Sequence, residues 1–423
     1  MSEASGKYMD EYEEKNSSHR PRWPSPAYPG LVGNILPEFL SFSGCPFSEP
    51  PSTPQQPFPT LKETYDYLRD FAEPFIEKGS IRLNTEVVRI DELADAKGWD
   101  VAIRDWTLDE GKTHSEIWDA VVICTGLKKG LAQHAKWYRG PETHAGKRAL
   151  VVGNGNSAND IAAHLAPVAQ NPIYRSIRRS AFKHFVHLPD PRIQDVAPIK
   201  RFSVQDNDKA RVELHDGTLL QDIDVVFICS GYIPNPTFLH VRAPNDISSD
   251  SSGLSPFMSQ IDPESPQSRR IPSLHRHILY AHNPTLAFMG SVMCFTPFTI
   301  ADVSSTWLGL AWSNEVAYPA SAKDRLQFEK DLIEDIERRR ADEAQETDYA
   351  AGLKRDIVAA RPEMKDVLPD WNATTKAVRE SMYTVKYRSL LWLKKQREQG
   401  ALDEAVDGED AGYRTQNVAA VPV

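Results

Sequence analysis

Arg148-Ala149-Leu150-Val151-Val152-Gly153-Asn154-Gly155-Asn156-Ser157-Ala158-Asn159-Asp160-Ile161-Ala162-Ala163-His164-Leu165 reads as a buried strand, a glycine turn and a helix. That order decides the fold class. Gly153 permits a backbone angle that other residues resist, and Gly155 lets the main chain approach a pyrophosphate whose charge meets the amides opening the helix. Ala158 stands at the third position of a G-x-G-x-x-A pattern, where a small side chain lets the helix pack on the strand. Asn156, Ser157, Asn159 and Asp160 follow as candidate dinucleotide contacts at the helix start. Asp160 has an alternative role, ordering that start by accepting backbone hydrogen bonds. The whole reads as an α/β, Rossmann-like unit.

The next strand bears on which dinucleotide is bound. Pro172-Ile173-Tyr174-Arg175-Ser176-Ile177-Arg178-Arg179 is a short strand followed by a basic pair, with no acidic residue. NAD enzymes place an acidic side chain here for the ribose hydroxyls, whereas NADP enzymes place cations for the 2′-phosphate. Ser176, Arg178 and Arg179 are therefore candidate NADP contacts, although an arginine pair also suits a solvated edge.

A repeated unit flanks the turn. Trp99 to Ile103 alternates like a strand, Glu110-Gly111 is a turn signal, and Asp119-Ala120-Val121-Val122-Ile123-Cys124-Thr125-Gly126 closes as a buried strand. About a hundred residues on, Arg211 to His215, the Asp216-Gly217 turn and Asp224-Val225-Val226-Phe227-Ile228-Cys229-Ser230-Gly231 repeat it. Any two buried strands can look alike, but here the hairpin, the acidic residue and the final glycine all recur. An isolated hairpin cannot hold itself together, so two such copies predict two domains of similar build.

Outside these units, Thr60 to Lys78 carries apolar residues at helical spacing, weakened near Pro74, and Ile81 to Ile90 reads as a strand. The stretch from Cys45 to Pro59 is rich in proline and serine and reads as an ordered surface loop. Thr285 to Trp312 is apolar but broken by Asp302 and Pro297, so it reads as a buried core segment in which Trp307 and Trp312 are core aromatics. Past Ala320 the chain turns charged and helical, with one apolar stripe to pack on the rest of the chain or on a second subunit, which leaves a homodimer open.

Composition narrows the function. The 423 residues exceed a single core, and a net charge of −10 disfavours nucleic acid or an anionic membrane as the general partner. Cys45, Cys124, Cys229 and Cys294 lie far apart without a C-x-x-C pair, which disfavours a structural zinc site or a disulfide reductase and predicts no metal. The polar residues from Met1 to Arg20 contain no apolar leader, so the expectation is a soluble cytoplasmic protein without a membrane partner.

From Pro24 to Trp312 the chain resembles the flavin-containing monooxygenase family. Gly153 to Asp160 is similar to the family's G-x-G-N-S-G-x-D turn, with Ala158 for the third glycine. Pro26 to Phe42, which includes Tyr28, Leu31, Gly33, Asn34 and Ile35, resembles the family's Y-x-x-L-x-T-N-x-P-x-x-L-M-x-F segment. Cys124-Thr125-Gly126 and Cys229-Ser230-Gly231-Tyr232 resemble its two A-T-G strand ends, and Pro284 to Gly290 its P-T-L-A-F-I-G return. Tyr138 to His144 resembles the F-x-G-x-x-x-H fingerprint, with Arg148 where an aromatic closes the family pattern. That departure bears on the division from Baeyer–Villiger monooxygenases, while Asn34 favours the N- and S-oxygenating group.

The resemblance implies two Rossmann-like domains, with residues 127–231 binding NADP inserted between residues 1–126 and 232–423 of an FAD domain. It implies NADPH- and O2-dependent oxygenation of a soft nitrogen or sulfur of a small-molecule substrate through a C4a-hydroperoxyflavin. Asn34 is then the catalytic residue facing flavin and nicotinamide, while Gly33, Ile35, Thr125 and Gly126 lie along the flavin. His144 reads as a structural residue in a loop. The family's own first G-x-G-x-x-G turn for FAD does not precede Pro24, which leaves about sixty residues of the FAD domain unmatched, so that domain reads as incomplete at its N-terminus. A catalytically silent NADP-binding protein, serving as a sensor or partner, is the competing expectation.

Overall fold

The computed structural model describes residues 27–398 except 29, 48–52, 95–96, 108–110, 125–132, 179–186, 206, 208, 232–235, 243–252, 261–269, 293 and 340–345. The first helix, α1 (Leu61–Glu77), starts on a capping box: the Thr60 hydroxyl accepts the Glu63 amide, and the Glu63 carboxylate accepts the Thr60 amide. The strand expected at 81–90 begins later, as β1 (Thr85–Glu92). Asn84 has a φ of 54°, so the chain turns just before it and leaves Ile81 and Leu83 exposed.

The repeated unit is real, and each copy is larger than its hairpin. In the first copy, β1, β2 (Trp99–Asp105) and β3 (Lys112–Trp118) form an antiparallel meander, and the chain then crosses into another sheet as β4 (Val121–Ile123).

The parallel sheet around the glycine turn uses β5 (Gln133–His134), β6 (Arg148–Val152), β7 (Gln170–Ser176) and β8 (Ile193–Val196). The second copy follows. Here β9 (Ile199–Val204), β10 (Ala210–Leu214) and β11 (Leu219–Ile223) form the antiparallel meander, and β12 (Val225–Ile228) crosses into the parallel sheet between β5 and β6. The order is β5-β12-β6-β7-β8, and every pair is parallel. Helix α2 (Asn156–Leu165) covers this sheet, burying Ala158, Ile161, Ala162 and Leu165 against Ala149, Val151, Ile173 and Phe227.

The return leg supplies β13 (Leu239–Arg242), parallel beside β1, and β14 (Leu254–Pro256). Then come β15 (Leu274–His275), β16 (Leu279–Tyr280) and β17 (Leu286–Phe288), the last parallel to β4. Two strands far apart in sequence therefore complete one sheet, ordered β15-β16-β17-β4. The apolar stretch 285–312 splits into β17 and α3 (Pro297–Trp312). Trp307 is fully buried in the core that joins β16 and β17 to the later helices, and Trp312 packs half-buried against it. The charged end of the chain is helical as expected, giving α4 (Ala322–Arg339), α5 (Glu346–Ala360) and α6 (Ala373–Glu398). None of the described helices is long and apolar enough to cross a membrane.

Candidate dinucleotide-binding site

The glycine turn has the geometry its residues predict. Strand β6 is held on both sides, by β12 and by β7, so Gly153 leaves the sheet at a fixed point. Its N–H donates to the Ser176 carbonyl at 3.1 Å, and its φ is 134°. A β-carbon there would lie 2.5 Å from the Cys229 carbonyl oxygen, so both the angle and the close approach require glycine. Gly155 is the N-cap of α2 and makes no side-chain capping bond. Ala158 is wholly buried beneath the helix, and Ser157 lies exposed beside Asn156 at its start.

Three expected contacts are used differently. Asn159 is buried, and its Oδ1 accepts from Arg175 Nη1 at 2.6 Å. Arg175 is itself buried and donates twice to Asp195 of β8, at 2.7 and 3.0 Å. This chain of bonds braces α2 against β7 and β8 and commits the Asn159 oxygen to the protein. Ser176 also turns inward, donating to the Ala197 carbonyl at 3.0 Å. Asp160 accepts the Tyr28 hydroxyl rather than capping its own helix. The reason in each case is tertiary, since a group from elsewhere in the fold engages the polar atom. Arg178 is exposed just past β7, and Arg179, Thr125 and Gly126 lie outside the described residues.

Tyr28 leads into the second part of the site. Its ring packs edge-on against Tyr138 at 5.2 Å and His164 at 5.6 Å, and Leu31 packs against the same core. Burial pushes the Asp160 carboxyl up to about 6, against the downward pull of the Lys386 charge and the Tyr28 hydroxyl. His144 is buried edge-on against Phe227 at 5.1 Å, and desolvation followed by the Lys147 charge lowers its pKa. That setting suits the structural role expected for it.

From this anchorage the chain reaches Gly33, Asn34 and Ile35. The Gly33 N–H donates to the Pro59 carbonyl at 2.8 Å, and Lys386 Nζ of α6 donates to the Gly33 carbonyl at 2.6 Å. Asn34 is left exposed and Ile35 half-buried. Beyond the turn, the Ser43 amide donates to Asp302 of α3 at 2.7 Å, and Phe42 stacks on Phe298 at 5.2 Å. Nothing in the sequence flags Lys386 or Arg175. A lysine in a charged helix and an arginine in a strand look ordinary until the fold brings their partners to them.

All four cysteines are free, and no cluster of His, Cys, Asp or Glu among the described residues is arranged to hold a metal.

The fold is of the Rossmann-like α/β class. Residues 17–184 match the model of the flavin-binding monooxygenase-like family. It is 25% identical over 298 residues to a thiol-specific monooxygenase of Saccharomyces cerevisiae, covering 66% of this chain and 63% of that one. It is 26% identical over 318 residues to the flavin-containing monooxygenase FMO GS-OX2 of Arabidopsis thaliana, covering 71% and 63%. The chain thus spans just under two thirds of the length of these relatives. The solved structure of S-allyl-L-cysteine S-oxygenase from Allium sativum shares the fold, with a TM-score of 0.61 and 21% identity over 88% of this chain and 87% of that one.

Proposed function

We propose that this chain acts in a flavin monooxygenase that uses NADPH and O2 to oxygenate a soft nitrogen or sulfur in a small molecule. The observation that carries the reading is the glycine-capped start of α2, two residues after a glycine that the Cys229 carbonyl makes obligatory. Gly153, Gly155, Asn156 and Ser157 would hold the NADP pyrophosphate on backbone amides, and Arg178 would take the 2′-phosphate. FAD, when bound, supplies the redox and oxygen chemistry, and the residues that fit it here are the turn at Gly33–Ile35 and the end of β4. The chain's work is to orient: the clamp on Gly33 presents the exposed Asn34 in one direction, and the packed Tyr28 and Leu31 keep that turn on the dinucleotide sheet. Relatives described as thiol-specific and as flavin-containing monooxygenases support a nucleophilic substrate.

A second reading, an NADP-binding protein without flavin chemistry, draws on one observation. Strand β4 is paired with β17 at the end of its described sheet, and its Val122 is 37% exposed. One purification separates the two. The full chain prepared with excess FAD and freed of unbound ligand should retain flavin absorbance near one equivalent and oxidise NADPH in air; a colourless protein that binds NADPH supports the second reading. Arg178→Ala should weaken NADPH about tenfold and NADH less than about twofold, as expected for loss of one charge-assisted contact to a phosphate. Equal loss of both nucleotides would remove Arg178 from the 2′-phosphate site.

A further inference from the structure

The turn bearing Asn34 is secured from a distant part of the chain. Lys386 projects from α6, and its ammonium donates to the Gly33 carbonyl at 2.6 Å while lying 4.8 Å from the Phe58 ring centroid. Three residues on, Ser389 donates to Gln56 Oε1 at 2.6 Å, and Gln56 Nε2 donates to the Phe58 carbonyl at 2.9 Å. Helix α6 therefore grips both strands of chain that meet at the Gly33 and Pro59 pairing. Burial lowers the pKa of this ammonium, and the Asp160 charge acts on it in the opposite direction. Asp160 belongs to α2 and is bonded to Tyr28, so one cation bears on the dinucleotide helix and on the turn five residues beyond Tyr28.

We propose that Lys386 is a positioning residue for Asn34, fixing the Gly33–Asn34 peptide plane relative to α2. The physical ground is peptide planarity. A peptide's C=O and N–H point in opposite directions across one rigid plane, so tethering the Gly33 oxygen sets the direction of the Asn34 N–H and the path of its Cα. The Gly33 N–H bond to Pro59 fixes the preceding plane. With both planes held, the exposed Asn34 side chain starts from a single backbone orientation, as a group that faces reacting cofactors requires. The proposal rests on the monooxygenase reading for what Asn34 faces; the tether itself does not.

The test uses the full chain and two measurements. Amide hydrogen exchange at Gly33 reports the turn directly. A hydrogen bond from a charged donor is worth enough that Lys386→Met, which keeps the apolar stem, should speed this exchange about tenfold or more. Met382→Ala, which removes a buried side chain one turn earlier on α6, should change it less than about twofold if the ammonium rather than helix docking is responsible. In NADPH oxidation, Lys386→Met should lower kcat roughly tenfold and leave KM for NADPH within about twofold, because positioning is lost and nucleotide binding is not. Should Lys386→Met lose its cooperative melt, Lys386→Gln, which falls short of the carbonyl, carries the same expectations. Unchanged exchange at Gly33, or equal acceleration in Met382→Ala, overturns the proposal. If the unsubstituted chain does not oxidise NADPH, the monooxygenase reading falls, while the exchange result still decides the tether.

Discussion

Strands β4 and β12 are copies of one design in different surroundings. Each follows an antiparallel meander, each begins after an aspartate, and each runs through apolar residues to a cysteine. Matched position by position, Val122 corresponds to Phe227 and Cys124 to Cys229. Yet Phe227 is 0% exposed and Val122 is 37% exposed, and Cys229 is buried where Cys124 is exposed. Asp224 receives the Arg148 amide at 2.8 Å, while Asp119 lies on the surface. The difference comes from what lies alongside: β12 sits between β5 and β6 under α2, whereas β4 has β17 on one side and no described strand on the other. An apolar strand becomes core only when a neighbouring strand and helix close over it.

The largest expected effect breaks the better-covered copy at its closest contact. Gly153→Val should cost roughly 4–5 kcal/mol and abolish NADPH binding, because its β-carbon must enter the space of the Cys229 carbonyl and its φ is strained. Calorimetry that found unchanged NADPH affinity would show that the close approach is dispensable. Next in size is a matched pair read by denaturant unfolding. Phe227→Ala should cost about 3 kcal/mol and Val122→Ala less than about 1 kcal/mol, since only the first opens a cavity. Comparable losses would mean that a further part of the protein covers β4.

The smallest effect is a ratio of rates. Burial first, and then the Asp160 charge, push the Cys229 thiol up to about 12, and burial also raises Cys124, though it remains exposed. Under native conditions iodoacetamide should modify Cys124 roughly tenfold faster than Cys229 or more, because the reaction needs an accessible thiolate. Peptide mass mapping with equal labelling would erase the contrast.

Much of the candidate dinucleotide site was legible from residues 148–165. Gly153, Gly155 and Ala158 each answer to a local backbone or packing need, and such needs are written in short patterns. The direction of Ser176 and the commitment of Asn159 were not legible. Both depend on β8 and its flank, where Asp195 holds Arg175 and the Ala197 carbonyl takes the serine hydroxyl. The late start of β1 was missed for a related reason, since Ile81 and Leu83 have strand composition but precede a left-handed turn at Asn84.

The sequence by itself determined the strand, glycine turn and helix, and the twofold recurrence of hairpin and closing strand. These are properties of neighbouring residues, governed by torsion angles and periodicity. Tertiary structure decided which copy is covered, which polar atoms remain for a ligand, and that Lys386 holds Gly33 from 353 residues away. A contact at that separation exists only once the chain has folded back on itself, and no local pattern encodes where it returns.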